Sequence, residues 1–276
     1  YLTKPFEVLE IKARVRSLLK AKAYADAVRE AMARDLRIAR EIQMGILPAD
    51  LAAATKGTGL EVYAVIEPAR EVGGDLYEVL RVSDSRVVVA LGDVSGKGIP
   101  AAMFMAVAVT VLRTLARQIA EPDVILQRLN DELAEQNPRG MFVTLQCLVF
   151  DLVQRRVACA GAGHHQLAVV SPGRAPRFAF PSSGRPAGLM PSNPIDCEFM
   201  SLEPGDTFVL FSDGVSEAMN PSEDFYGEDR LLGTLAETSG ATPGEIVTRV
   251  LADVRAFSAS ARQSDDITVL AVRYAP

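Results

Sequence analysis

The chain has 276 residues, of which 49% are hydrophobic and 23% are charged, and this balance is that of a globular protein with one large domain and an appendage or with two small domains. Its net charge of −6, without a basic patch, argues against nucleic acid as a partner. We find no apolar run of membrane-spanning length and no signal peptide, so we expect no membrane partner and a cytoplasmic location. Cys147, Cys159 and Cys197 form no CxxC pair and are expected to be small buried residues in a reducing compartment.

The first 20 residues have the pattern of a strand, a loop and a helix. The chain starts at Tyr1 without an initiator methionine, which predicts a fragment of a longer protein. Lys4-Pro5-Phe6 and the run EVLEIKARVRSLLK resemble the end of a response-regulator receiver domain. The resemblance implies that residues 1–20 are the C-terminal remnant of such a domain, that Lys4 corresponds to the lysine of its phosphoacceptor site, and that a receiver domain and a histidine kinase act upstream. The alternative is a plain amphipathic helix.

A long helix is predicted from Phe6 to about Met44, roughly 60 Å in length, with Gly45 and Pro48 ending it. Apolar or small residues recur along it at spacings of three and four, interrupted by Asp35: Leu18, Ala21, Ala25, Val28, Met32, Ala39, Ile42 and Ile46. This spacing predicts a coiled-coil linker over residues 18–47 and a homodimer through residues 18–46. A single amphipathic helix packed on its own domain is the alternative.

Short strands dominate from residue 60 onward, with a few helices between them. Strands are predicted at 60–68, 76–82, 87–91, 141–152, 156–160, 164–170, 177–180, 207–212 and 267–275, and helices at 100–115, 122–135 and 244–257. Because the strands are not regularly followed by helices, the pattern predicts the α+β class and not a βαβ repeat.

The stretch Arg86–Leu115, RVVVALGDVSGKGIPAAMFMAVAVTVLRTL, places Asp93 between glycines at the end of a buried strand. A P-loop is excluded because the spacing from Gly92 to Gly96 is one residue too short and Lys97 precedes Gly98. An ordinary strand-to-helix turn remains the alternative to an ion-binding loop.

Four acidic sites abut predicted strands: Asp75, Asp93, Asp213 and the pair Asp265 and Asp266. None has a His or Cys beside it, and hard oxygen ligands favour Mg²⁺ or Mn²⁺ over Zn²⁺. A carboxylate shared by two such ions can hold a hydroxide for attack on phosphorus, which is the chemistry that hydrolysis of a phosphomonoester needs.

The motifs occur in a specific order: GGD, GDVSGKG, MFVTL, AGAGH, GxPxGL, FSDG, YGEDRL and SDDITVL. This order resembles the metal-dependent serine/threonine phosphatases related to protein phosphatase 2C (PP2C), and among them the bacterial RsbU and sporulation stage II E branch. The resemblance implies a phosphatase domain over residues 48–276 with a four-layer αββα sandwich, in which two antiparallel sheets are flanked by helices, preceded by the long N-terminal helix. It also implies a site for two ions, Mn²⁺ or Mg²⁺.

The resemblance also implies a role for each site residue. Asp93 would bridge the two ions and the carbonyl of Val94 would hold one of them. Asp213 and Asp265 would hold the other, with Asp266 aligned to an Asn of the wider family. Asp75 would bind water ligands and, together with Asp93, is a predicted catalytic residue. Lys97 is a candidate ligand for the substrate phosphate, with a solvated lysine at a loop tip as the alternative.

The fourth motif departs from the family pattern, which has Gly-His-Pro-Pro where this chain has Gly163-His164-His165-Gln166. We expect a structural or capping role for His164 and His165, the only histidines in the sequence.

The predicted function is a phosphoprotein phosphatase acting on phosphoserine or phosphothreonine of a partner, which the resemblance identifies as a STAS-like antagonist of an anti-sigma factor. One alternative is an inactive phosphatase-like module that binds and sequesters the same partner. Another is a two-metal hydrolase of a different phosphoester, such as a nucleotide.

Overall fold

The computed structural model describes residues 8–135 and 137–276. It divides into two units, Tyr1–Ile42 and Gln43–Pro276. Helix α1 (Val8–Ile46) forms the described part of the first unit, and its last turn belongs to the second. The prediction for Lys4 falls on residues 1–7 and lies outside the described residues. Ile46, a predicted member of the seam, packs against the core of the second unit, because the chain turns into that core here.

The second unit is built from the strands and helices that follow. The strands are β1 Leu60–Glu67, β2 Leu76–Ser83, β3 Arg86–Val94, β4 Val143–Asp151, β5 Arg156–Ala162, β6 Leu167–Val170, β7 Arg177–Ala179, β8 Glu198–Ser201, β9 Thr207–Phe211 and β10 Ile267–Tyr274. The helices are α2 Leu51–Thr55, α3 Ile99–Ala116, α4 Pro122–Glu135, α5 Asp213–Ser216, α6 Glu228–Ala236 and α7 Pro243–Ser258.

Two antiparallel sheets lie face to face. One has the order β1-β10-β9-β6-β7 and the other the order β2-β3-β4-β5-β8. Phe150 of β4 meets Phe208 of β9 edge to face between them, with ring centroids 5.5 Å apart. Helices α3 and α4 cover the second sheet and α6 and α7 cover the first. The predicted αββα sandwich is therefore confirmed.

Helix α3 is long and apolar enough to cross a membrane by length and composition alone, unlike the expectation from the sequence. It also meets the requirements of a core helix, because one of its faces is buried. The buried residues are Ala101, Met105, Ala108, Val109, Leu112 and Ala116.

Four elements were absent from the sequence prediction: α2, β8, α5 and α6. Strand β8 has four residues and none is buried, so it carries no apolar alternation. Strand β6 begins at Leu167 and not at His164. The His164 ring bonds to groups in both sheets. The three cysteines are free; Cys147 and Cys159 are buried as expected, while Cys197 is half-buried.

Candidate active site

Strand register brings the predicted site residues to one end of the sandwich. Asp75 directly precedes β2, and Asp93 lies near the end of β3. Because Leu76 pairs with Gly92, these two aspartates are neighbours across the sheet.

The other sheet contributes its acids at the same end. Asp213 follows β9 and Asp265 and Asp266 precede β10, and the pairing of Phe211 with Val269 brings these strand ends together. A hydrogen bond from Thr268 Oγ1 to Asp75 Oδ2 then joins the two sheets. We call the part of the sandwich formed by these five aspartates the acidic end.

A cleft of about 310 Å³ opens at the acidic end. Its lining includes Asp93, Ser95, Lys97, Phe142, Thr144, His164, His165, Asp213 and Asp265. Three predicted ligands and the predicted phosphate contact thus share one cleft, whereas Asp75 and Asp266 lie outside its lining.

Asp75 and Asp266 are buried and engaged by the protein. Asp266 is 5% exposed and its carboxylate accepts hydrogen bonds from the backbone N–H groups of Ala69 and Gly74, at 2.8 and 2.7 Å. Asp75 is 1% exposed and accepts the bond from Thr268. The carboxylate of Asp266 therefore fixes the loop that carries Asp75.

Burial and mutual repulsion raise the pKa values at the acidic end. Burial, and then the charges of Asp213 and Asp265, raise the pKa of Asp93 to about 7, and a hydrogen bond with Asp75 works in the opposite direction. The pKa of Asp75 is raised well above its ordinary value by burial and then by Asp93. Burial, followed by the charge of Asp265, also raises the pKa of Asp213.

Two residues position the loop before Asp75: Gly74, which belongs to the GGD motif, and Gln43, which the sequence analysis did not identify. A Cβ at Gly74 would lie 2.7 Å from the carbonyl oxygen of Val94 and 2.9 Å from Asp93 Oδ1, so only glycine allows this approach. Gln43 is buried at the end of α1 and bonds to Gly73 twice, through Nε2 to the carbonyl oxygen at 2.7 Å and through Oε1 to the N–H at 3.2 Å. No sequence signal marks Gln43, because its burial and its contact with Gly73 follow only from the fold.

His164 links the sheets next to the cleft. Its Nε2 lies 3.1 Å from the carbonyl oxygen of Phe211, which can only accept, so Nε2 carries the proton. Nδ1 then accepts from Thr144 Oγ1 at 2.8 Å. Burial lowers the pKa of His164 to about 3, so the ring is neutral at pH 7. Both of its nitrogens have partners, as a structural role requires.

Lys97 contacts a predicted metal ligand. Its Nζ donates to Asp265 Oδ2 at 2.6 Å and to the carbonyl oxygen of Ser264 at 2.7 Å. Over the described range, no group of three or more His, Cys, Asp or Glu side chains is already arranged to hold a metal ion. The individual ligand roles therefore stay predictions.

The donor set nevertheless fits a hard divalent cation. Asp213 Oδ1 is buried without a hydrogen-bond partner, an arrangement that proteins seldom leave unexplained. The raised pKa of Asp93 reflects a repulsion between carboxylates that a cation would relieve. Carboxylate and carbonyl oxygens are the ligands that Mg²⁺ and Mn²⁺ prefer.

Comparison with known families covers most of the second unit. A model of the family "Stage II sporulation protein E (SpoIIE)" matches residues 83–275. The chain belongs to this family. The match includes the segments that carry Asp93, Asp213 and Asp265, and it confirms the predicted RsbU and stage II E branch of PP2C-like serine/threonine phosphatases.

Two curated proteins are similar over most of the chain. Protein IcfG of Synechocystis is 29% identical in an alignment 265 positions long, which covers 86% of this chain and 41% of IcfG. Phosphoserine phosphatase RsbU of Bacillus subtilis is 25% identical over 239 residues, which are 87% of this chain and 70% of RsbU. The SpoIIE-family chain therefore spans well under half of IcfG.

Solved structures share the fold. The SiaA-PP2C domain of Pseudomonas aeruginosa superposes with a TM-score of 0.80 at 23% identity, covering 90% of this chain and 99% of that one. The catalytic domain of the serine/threonine phosphatase PstP, in complex with two manganese ions, has a TM-score of 0.57 at 15% identity, covering 78% of this chain and 97% of that one. At these identities the likeness establishes the sandwich alone.

Proposed function

We propose that the chain is a Mn²⁺- or Mg²⁺-dependent phosphatase that removes phosphate from a serine or threonine of a partner protein. The observation that carries the proposal is the convergence of Asp93, Asp213 and Asp265 in one cleft, with a buried oxygen of Asp213 unpartnered and the pKa of Asp93 raised to about 7. Without a bound cation, the repulsion between these carboxylates would be uncompensated.

Two ions would be held by Asp93, the carbonyl of Val94, Asp213 and Asp265. When bound, such ions neutralise phosphoryl oxygens and lower the pKa of an attacking water. The chain's own residues prepare the site. Asp75, whose raised pKa favours the protonated form, would donate a hydrogen bond to Asp93 and stabilise its charged form. Support for the metals comes from PstP, a protein of the same fold that holds two manganese ions.

The proposed substrate is a phosphorylated STAS-like antagonist of an anti-sigma factor in a partner-switching pathway, with a receiver domain and a histidine kinase upstream. Support comes from RsbU, a relative that is named a phosphoserine phosphatase. The net charge of −6 does not attract an acidic substrate over long range, so recognition of the phosphoprotein depends on contacts close to the cleft.

The test is release of phosphate from a phosphoserine protein and from an aryl phosphate, with and without Mn²⁺. We expect turnover that requires Mn²⁺ and is lost in Asp93→Asn. A chain that binds the phosphoprotein in pull-down assays but releases no phosphate at any Mn²⁺ concentration would instead be the sequestering module. Hydrolysis of nucleotides in preference to phosphoprotein would favour a different phosphoesterase.

We also propose that α1 mediates a homodimer. Taken by itself, the helix exposes apolar seam residues, with Leu18 70%, Met32 61% and Ile42 63% exposed. Met32→Lys combined with Ile42→Lys should halve the mass seen by light scattering, whereas the same double change at Arg29 and Arg40, both exposed and already basic, should not. A wild-type chain that is monomeric at tens of micromolar would contradict the dimer.

A further inference from the structure

The loop between β3 and α3 holds Lys97 against the segment that precedes β10. Lys97 lies between Gly96 and Gly98, whose φ angles are +88° and +76°. A Cβ added at either glycine would meet nothing within 4 Å, so these glycines are needed for the backbone conformation and not for close packing. The two glycines therefore allow the backbone conformation of the loop that carries Lys97.

The contacts of Lys97 complete the hydrogen bonding of Asp265. Asp265 Oδ2 accepts from Lys97 Nζ at 2.6 Å, and Oδ1 accepts from the N–H of Asp266 at 3.0 Å. Both oxygens of Asp265 therefore have protein donors. The neighbouring acid differs, since Asp213 Oδ1 is buried without a donor.

Lys97 is also the only Lys or Arg among the described residues that line the cleft. The negative charge of Asp265 acts on the other two acids of the cleft and contributes to the raised pKa values of both Asp93 and Asp213. The ammonium group therefore offsets negative charge at the point where it is concentrated. The Lys97 side chain is 40% exposed and that of Asp265 is 36% exposed, so water screens the pair and the contact can exchange.

We propose that Lys97 is a counter-ion that competes with a divalent cation for Asp265 and so sets the affinity of the cleft for that cation. The inference rests on the proposed function. A divalent ion on Asp265 repels the ammonium group beside it, so Lys97 must leave as the ion binds. When the ion dissociates, Lys97 returns and keeps Asp265 in place. Lys97 is a positioning residue in this scheme, and it acts through Asp265.

The test is the dissociation constant for Mn²⁺, measured by calorimetry on the chelator-treated full chain. Lys97→Met removes the charge but keeps most of the stem, and it should bind Mn²⁺ about three- to tenfold more tightly at the affected site. Lys97→Arg keeps a cation and should remain within about twofold of wild type. Lys56→Met is the matched control, because it changes net charge equally at the far end of β1, roughly 23 Å along the strand.

Unchanged or weaker Mn²⁺ binding by Lys97→Met would overturn the inference and leave the proposed function intact, since wild type would still bind Mn²⁺. Equal tightening by Lys56→Met would overturn it as well, because overall charge would then be the cause. Failure of wild type to bind Mn²⁺ at all would instead remove the proposed function. Circular dichroism in chelator checks folding, and Lys97→Gln replaces the Met variant if that variant does not fold.

Discussion

The five aspartates at the acidic end form two groups that differ in what their oxygens touch. Asp75 and Asp266 are almost fully buried and take hydrogen bonds from Thr268 and from loop N–H groups. Asp93, Asp213 and Asp265 line the cleft, where one oxygen lacks a partner and another is held by an exchangeable lysine.

This difference separates architecture from chemistry within one residue type. The buried pair stabilises the loop and the junction of the sheets, so its loss should destabilise the fold. The carboxylates of the cleft group repel one another. Removing one of them should therefore not lower the stability of the fold, but it should abolish the proposed cation site. Substitutions in the buried pair should therefore lower stability, whereas substitutions in the cleft group should lower activity with little or no loss of stability, which is a common compromise at functional sites.

The largest effect is expected for Asp93→Asn. Phosphatase turnover at saturating Mn²⁺ should fall at least about a hundredfold, because a predicted bridging charge is lost. Stability in chelator at pH 7 should be higher, since the repelled carboxylate becomes neutral. Initial rates and urea unfolding measure the two quantities.

Asp84→Asn, the same chemical change at a turn between β2 and β3, is the control and should alter neither quantity. An Asp93 variant that retains more than about a tenth of wild-type turnover would contradict the role of Asp93 in the chemistry. The division of the five aspartates into two groups would then be wrong for Asp93.

The adjacent acids Asp265 and Asp266 give the sharpest contrast. Asp266→Asn should lower the free energy of unfolding by about 2–3 kcal/mol, because the amide cannot accept from both loop N–H groups. Asp265→Asn should change it by less than about 1 kcal/mol, since it loses only a partly exposed ion pair. Turnover should fall more in the Asp265 variant. Equal losses of both quantities at the two positions would mean that the division within this pair is wrong.

Several parts of this arrangement follow from the sequence alone. The αββα sandwich, which the resemblance to PP2C-like phosphatases implied, is confirmed. Its central strands β3 and β10 were recognisable as apolar runs with acids at one end, Asp93 in β3 and Asp265 and Asp266 before β10. The hydrogen-bond partners of Asp265 and Asp266 could not be predicted from the sequence. Asp266 bonds to Gly74 across 192 residues of sequence, and Lys97 bonds to Asp265 across 168, so their partners emerge only when the two sheets meet.

Gln43 was missed for the same reason, since its partner Gly73 lies 30 residues further along the chain, in the loop between β1 and β2. The exposed strand β8 was missed because it has no apolar pattern, and α5 because it is only four residues long. Composition and hydrophobic periodicity identify which residues are buried, but they do not identify which buried polar groups form hydrogen bonds with one another.

The pH dependence of stability distinguishes the groups on a smaller scale. The pKa of Asp93 is raised from 3.8 to about 7, so the folded state binds more protons than the unfolded state between these values. Stability in chelator should therefore fall as pH rises from about 4 to 7 and then level off. His164 opposes this trend, because its pKa is lowered from 6.5 to about 3 and its contribution is lost as pH falls below 6.5.

The difference between wild type and Asp93→Asn cancels the His164 contribution, which is common to both. That difference should favour the variant increasingly above pH 4 and reach on the order of 2 kcal/mol at pH 7. Urea unfolding at pH 5 and pH 7.5 measures it. A difference that is constant with pH would show that Asp93 is ionised in the fold without penalty, and the cleft group would then lose its defining property.

The smallest effect is expected at Thr144, whose hydroxyl bonds to His164 and so links the sheet of Asp93 to the sheet of Asp213. Thr144→Val keeps the shape of the side chain but leaves His164 Nδ1 buried without a donor, and it should lower the free energy of unfolding by about 1 kcal/mol. Thr144→Ser keeps the hydroxyl and should lose less. If the Ser variant loses as much as the Val variant, the methyl packing of Thr144 matters and not its hydrogen bond. If neither variant loses stability, the hydrogen bond between Thr144 and His164 contributes nothing measurable to the junction of the two sheets at the acidic end.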